Sequence, residues 1–138
     1  MYIFLLHRFS GEQVVQVCLR TLTHHLDISG EPQFLERMQL KYHKEAEEKG
    51  VYIIGACGFD SIPSDVGRQL VHSQMEGPVN SVQMFVEFEN GPTASGPSIN
   101  FGTYQSAIHG VANGGELVKL RRQLYPEKLP KITPKAGH

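Results

Sequence analysis

The chain has only two cysteines in 138 residues, Cys18 and Cys57. One falls on the apolar stripe of a helix and the other in a loop after a strand. Both read as reduced thiols of an intracellular protein, since a disulfide would need two separate elements to approach closely. No run nears the ~20 apolar residues of a membrane span, so no transmembrane segment is expected. The opening Met1–Leu6 is apolar but short, with no basic stretch before it and no small-residue cleavage site after it. It reads as a buried strand rather than a signal peptide. Charge excess is missing too: 13 Lys and Arg stand against 14 Asp and Glu, for a net charge of −1. That balance argues against nucleic acid or an anionic membrane as partner.

Metal-ligand spacing is also lacking. There is no H-x-x-x-H or C-x-x-C pair, so no metal site is expected. His24 and His25 would point to opposite faces of a strand. His43, His72 and His109 stand singly on helices. No Ser-His-Asp set can be assembled from local signatures, and no catalytic residue is assigned. Lys119, Arg121, Arg122 and Lys128 read as a solvated helix face. What remains is an ordinary globular composition, 40% apolar, in a chain long enough for one domain or parts of two.

Ser10 to Gln13 has the form of a capping box, with Ser10 as N-cap. Val14, Val15, Cys18, Leu19 and Leu22 follow at helical spacing. His24–Ile28 reads as a short strand. Pro32 suits the first turn of the next helix, whose apolar stripe is Phe34, Leu35, Met38, Tyr42 and Ala46, and Gly50 is its stop. Val51–Ile54 is a β-branched run and a central strand. Pro63–His72 is helical, with Val66, Leu70 and Val71 turned inward. Beyond Gly77 and Pro78 the period changes to two: Val82, Met84, Val86 and Phe88 alternate with Gln83, Phe85, Glu87 and Glu89, as in an antiparallel strand wet on one face. Asn90–Asn100 is a loop. Gly102–Val111 and Glu116–Tyr125 are helices separated by a break at Asn113–Gly115, and Pro126, Pro130 and Pro134 end regular structure. The spacing predicts that the strands His24–Ile28 and Val51–Ile54 are parallel neighbours joined by the helix Pro32–Lys49.

A parallel sheet presents its functional loops at the carboxyl ends of its strands. Two such loops stand here, Asp27–Glu31 and Gly55–Asp65. Asp27, Gly30 and Glu31 are candidates in the first, and Gly58, Phe59, Asp60 and Ser61 in the second. Each has a simpler reading beside the functional one. Asp60 or Ser61 can cap the helix that contains Pro63, and Asp27, Ser29 and Glu31 can serve a helix's positive end. Gly55 and Gly58 resemble part of a dinucleotide fingerprint. They are not the phosphate site on this reading, because the full G-x-G-x-x-G is absent, Asp60 and Asp65 would repel phosphate, and no acidic residue ends a following strand.

Two stretches carry a family resemblance: Asp27–His43, DISGEPQFLERMQLKYH, and Gly50–Asp65, GVYIIGACGFDSIPSD. They closely resemble the saccharopine dehydrogenase-like oxidoreductases of animals, over roughly Arg8 to Tyr125. The resemblance implies hydride transfer with NAD or NADP, and a small-molecule substrate in a whole protein. It places the two loops late in an N-terminal Rossmann domain, beyond the dinucleotide loop, with the second loop lining the crevice near the nicotinamide. It also implies an intracellular setting at lipid droplets or mitochondria.

The expected fold class is α/β: the C-terminal part of a Rossmann-like parallel sheet over residues 1–77, leading into the start of an α+β second domain over residues 78–138. The expected function is that of an internal or truncated piece of such an oxidoreductase, catalytically incompetent alone because the glycine-rich cofactor loop is absent. A sheet without its leading strands exposes an edge, through which self-association is expected. Two alternatives stand beside it: a non-catalytic interaction protein of lipid droplets or mitochondria, and a small NAD-binding domain using Gly55–Gly58.

Overall fold

A computed structural model of the protein describes residues 7–79, 81–87 and 101–127. The expected strand at Met1–Leu6 and the loop Asn90–Asn100 lie outside these residues. The elements run α1 (His7–Thr21), β1 (His25–Leu26), α2 (Pro32–Lys49), β2 (Ile53–Ile54), α3 (Ile62–Gln74), α4 (Phe101–Ala112) and α5 (Gly114–Leu124). The described chain is mostly helical, with a small two-stranded parallel sheet.

β1 and β2 pair in parallel, His25 opposite Ile53 and Leu26 opposite Ile54, and α2 joins them as the spacing predicts. The His25 N–H donates to the Tyr52 carbonyl at 2.8 Å and the Asp27 N–H to the Ile54 carbonyl at 3.1 Å. Alternation along the strands sorts their side chains. Val51 is buried and Ile53 packs against the core, while Leu26, Tyr52 and Ile54 are exposed on the other face.

α2 begins at Pro32, whose missing N–H costs nothing in a first turn. It ends at Gly50, which takes a left-handed φ of 62° and donates its N–H toward the Ala46 and Glu47 carbonyls. Its buried face meets α1. Val15 and Leu19 of α1, Phe34, Met38 and Ala46 of α2, and Val51 form the core, with Leu35, Tyr42 and Ile53 packed against it. Gly11 permits the close approach of the two helices: a Cβ there would lie 2.5 Å from Phe34 Cε2 and 2.6 Å from Phe34 Cζ. A second, polar contact reinforces them. Glu12 Oε1 accepts from both Lys41 Nζ and the Tyr42 hydroxyl at 2.8 Å, and these bonds hold the Glu12 carboxyl below its ordinary range.

Several expectations are corrected. Ser10 is no N-cap: α1 already includes His7, and its leading N–H groups are capped from a distant residue, Glu31. Val14 and Leu22 are exposed, because the core takes only the Val15 and Leu19 line of α1. Val66, Leu70 and Val71 do not face inward; all three are exposed, and α3 buries no residue. Residues 81–87 form no strand and are exposed. Alternation needs a neighbouring strand to hold it, and none lies beside this segment among the described residues. Asn113 is the single turn residue between α4 and α5, and Gly114 and Gly115 already belong to α5.

Candidate functional site

The loops that follow β1 and β2 meet at the carboxyl end of the sheet, and Asp27 fastens them. Its carbonyl accepts from the Cys57 N–H at 2.7 Å. Its carboxylate Oδ1 accepts from the Ser29 N–H at 2.8 Å, within its own loop, and from the Ala56 N–H at 3.3 Å, in the other. Oδ2 lies 3.1 Å from His25 Nε2, two residues back on the same strand face. A side chain only 8% exposed therefore has both oxygens engaged within the fold, as a buried carboxylate must.

Ser29 and Glu31 continue this inward face. Ser29 is 2% exposed, and its hydroxyl oxygen accepts from the Glu31 N–H at 3.2 Å. Glu31 is 5% exposed and starts two helices. Its carbonyl accepts from the Phe34 and Leu35 N–H groups of α2 at 3.0 and 3.1 Å. Its carboxylate accepts from the His7 N–H at 3.0 Å and the Arg8 N–H at 3.1 Å, at the head of α1. An anion is favoured there by the helix dipole. Gly30 is exposed, with open space where a Cβ would stand.

The second loop is shaped by close approach. A Cβ on Gly55 would drive into Leu35 Cδ2 and sit 3.4 Å from Asp27 Oδ1. Ala56 takes a left-handed φ of 56°. Gly58 lies against Ile28 of the first loop, and its carbonyl accepts from the Ser61 and Ile62 N–H groups at 3.2 and 3.0 Å. Ser61 occupies the N-cap position of α3 but makes no side-chain cap bond. Phe59 and Asp60 are exposed. The structure thus brings Asp27, Gly58 and Ser61 into one loop cluster with Glu31 beneath it, and leaves Gly30, Phe59 and Asp60 at its surface. A cleft of about 670 Å³ runs from Asp27, Gly55 and Ala56 along α2 and β2, lined by apolar Leu35, Met38 and Tyr42.

A dinucleotide's pyrophosphate needs open N–H groups at a helix N-terminus. Three helices begin at this end, and some of their leading groups are engaged. α1 is capped by the Glu31 carboxylate, α2 by the Glu31 carbonyl and α3 by the Gly58 carbonyl. Pro32 and Pro63 have no N–H to give. In the second loop, the N–H groups of Ala56 and Cys57 are both taken by Asp27. The Ala56–Cys57 turn therefore does not fit a pyrophosphate. No group of His, Cys, Asp and Glu among the described residues could hold a metal ion.

Sequence reasoning missed three things here. The same-face spacing of His25, Asp27 and Ser29 signals an inward polar row. Nothing local signals that Glu31 caps a helix more than twenty residues upstream, or that Arg8 and Arg37 both reach Glu116 of α5.

The described residues thus hold a parallel βαβ unit, with its loops gathered at the carboxyl ends, in a mostly helical chain. No family model matches it, and no solved structure matches it. Known proteins do. It is 47% identical over 129 residues, 94% of the chain, to a human protein named saccharopine dehydrogenase-like oxidoreductase. It is 43% identical over 125 residues, 89% of the chain, to a Caenorhabditis elegans protein named lipid droplet localized protein. It is 44% identical over 117 residues, 83% of the chain, to an Arabidopsis thaliana protein named as a probable mitochondrial saccharopine dehydrogenase-like oxidoreductase. These matches cover 30%, 29% and 25% of the relatives' own lengths. The chain is a relative of the saccharopine dehydrogenase-like oxidoreductases. No helix among the described residues is long and apolar enough to cross a membrane.

Proposed function

We propose that this chain carries the crevice-lining part of a nicotinamide-dependent oxidoreductase acting on a small molecule inside the cell. On this reading residues 1–77 are the late part of a Rossmann-like unit, and residues 78–138 begin an α+β second unit. The observation that carries it is the Asp27 fastening, which holds two specific loops together at the carboxyl ends of parallel strands. Gly58, Phe59, Asp60, Ser61 and Gly30 are the surface offered to a nicotinamide or substrate, and Asp27 and Glu31 position them. When bound, NAD or NADP would supply the hydride chemistry. The 138 residues alone are catalytically incompetent and bind either nucleotide weakly, because no full glycine-rich fingerprint is present and the Ala56 and Cys57 N–H groups are already held by Asp27.

The test is a calorimetric titration of the purified chain with NADH, beside a Gly58→Val variant. The expected result is no binding tighter than about 1 mM. Tight binding abolished by the substitution would instead make Gly55–Gly58 a phosphate loop and the chain a small NAD-binding domain. A second reading, a non-catalytic interaction protein of lipid droplets or mitochondria, draws on the relatives' names and on the exposed Val66, Leu70 and Val71 of α3. It predicts that the chain co-purifies with lipid-droplet or mitochondrial fractions, and that charged substitutions at Val66 and Leu70 release it. Unchanged fractionation of those variants would count against it.

A further inference from the structure

We propose that α4 and α5 form a salt-releasable clasp over the start of α2, locked by the contact of Glu116 with Arg8 and Arg37. The two helices are held very differently from the rest of the described chain. α1 and α2 share a buried apolar core. α4 and α5 bury no residue at all, and Leu117, Leu120 and Leu124 of α5 are only half-buried. α5 nevertheless lies along α2, and beside those half-buried leucines the side-chain bonds that fasten it are charged.

At the lock, Glu116 Oε2 accepts from Arg8 Nη2 of α1 at 2.9 Å, and Glu116 Oε1 meets Arg37 Nη2 of α2. One turn and a half further along α5, Arg121 Nε donates to Glu36 Oε1 at 2.9 Å. At the α4–α5 junction, Gln33 Nε2 donates to the Gly110 carbonyl at 2.9 Å. The His109 ring meets Phe9 of α1 edge-on at 5.9 Å. The three ion pairs among these contacts are screened by salt, while apolar burial is not weakened by it.

What the clasp covers gives it meaning. Gln33, 2% exposed, and Arg37 stand in the first turns of α2, directly after the Asp27–Glu31 loop. Arg8 joins the two: its backbone N–H is held by Glu31 and its guanidinium by Glu116. The clasp therefore closes on the same end of the molecule as the crevice loops. It does not depend on their proposed role in nucleotide or substrate contact.

The experiment is hydrogen exchange on the whole chain, read peptide by peptide, as salt rises from about 0.01 M to about 1 M and the screening length falls from about 30 Å to about 3 Å. Exchange over Gly114–Leu124 should rise about tenfold, the order expected when three partly exposed ion pairs are screened together. Exchange over Phe34–Ala46 should not change. Glu116→Gln should raise α5 exchange already at low salt and shrink its salt response, and Arg121→Gln should do so in part. Protection of α5 that ignores both salt and Glu116→Gln would overturn the proposal. So would loss of protection in α5 and α2 together, because the two would then be one cooperative unit.

Discussion

Replacing Glu31 by alanine separates its structural work from any part it plays in a crevice. Its carboxylate accepts two backbone N–H bonds at the head of α1, at 3.0 and 3.1 Å, from a position only 5% exposed. Hydrogen bonds to a charged group contribute about 1.5–3 kcal/mol each. An anion at a helix N-terminus adds about 0.3–1 kcal/mol, and up to about 2 when partly buried. His7 and Arg8 are half-buried, so water can recover part of the loss. The expected cost of Glu31→Ala is about 2–4 kcal/mol, a large share of the about 5–15 kcal/mol that holds an ordinary domain together. Glu31→Gln keeps the shape and one acceptor oxygen and should cost about half as much. Urea unfolding followed by far-ultraviolet circular dichroism gives both values from the shift in midpoint at constant slope. An alanine variant within about 0.5 kcal/mol of the parent, the range of a surface substitution, would refute the capping role. It would also return Glu31 to the list of groups free for chemistry.

Three further outcomes are expected. Gly11→Ala should destabilise by about 1 kcal/mol, because overpacking against the Phe34 ring costs about 1–3 kcal/mol and exceeds the about 1 kcal/mol of helix propensity gained; a thermal melt that rises would contradict this. Burial works to raise the Glu116 pKa, but Arg37 and Arg8 outweigh it and hold the carboxyl below its ordinary 4.5. Since its folded value is depressed, its stabilising contribution is present above about pH 4.5 and is lost as pH falls through the folded value. The stability gap between the parent and Glu116→Gln should therefore close in acid, and a gap that persists there would argue against the ion contact. Each strand has one edge without a strand partner among the described residues, so concentration-dependent self-association is expected in sedimentation; a monomer at every concentration would remove the edge from consideration.

The middle of this chain was legible because its signals are local. Pro32 and Gly50 mark both ends of α2, and Phe34, Met38 and Ala46 trace its buried line. A short strand at His24–Ile28 and a β-branched run at Val51–Ile54, separated by one helix, imply the parallel pair. The misreadings have a common cause in partners that sequence spacing does not reveal. Ser10 has the right neighbours for an N-cap, but the α1 N-terminus is served by Glu31 instead. Val82 to Glu87 alternates as a strand does, yet no strand lies beside it among the described residues. Val66, Leu70 and Val71 form a real apolar line on α3, and what it would bury against is not written in the helix. In the candidate site, loop positions could be read from the motifs. The engagement of the Ala56 and Cys57 N–H groups by Asp27, and of the His7 and Arg8 N–H groups by Glu31, could not.

The Asp27 cross-link has a thermodynamic consequence. Two loops joined through one carboxylate cannot rearrange independently, because moving either leaves a buried oxygen or an N–H of Ser29 or Ala56 without its partner. A molecule that touched both loops would meet a surface whose backbone ordering was completed when the chain folded. Ordering entropy, which weakens binding to mobile loops, would then be small at the floor of the crevice. It would remain only for the exposed side chains of Phe59 and Asp60.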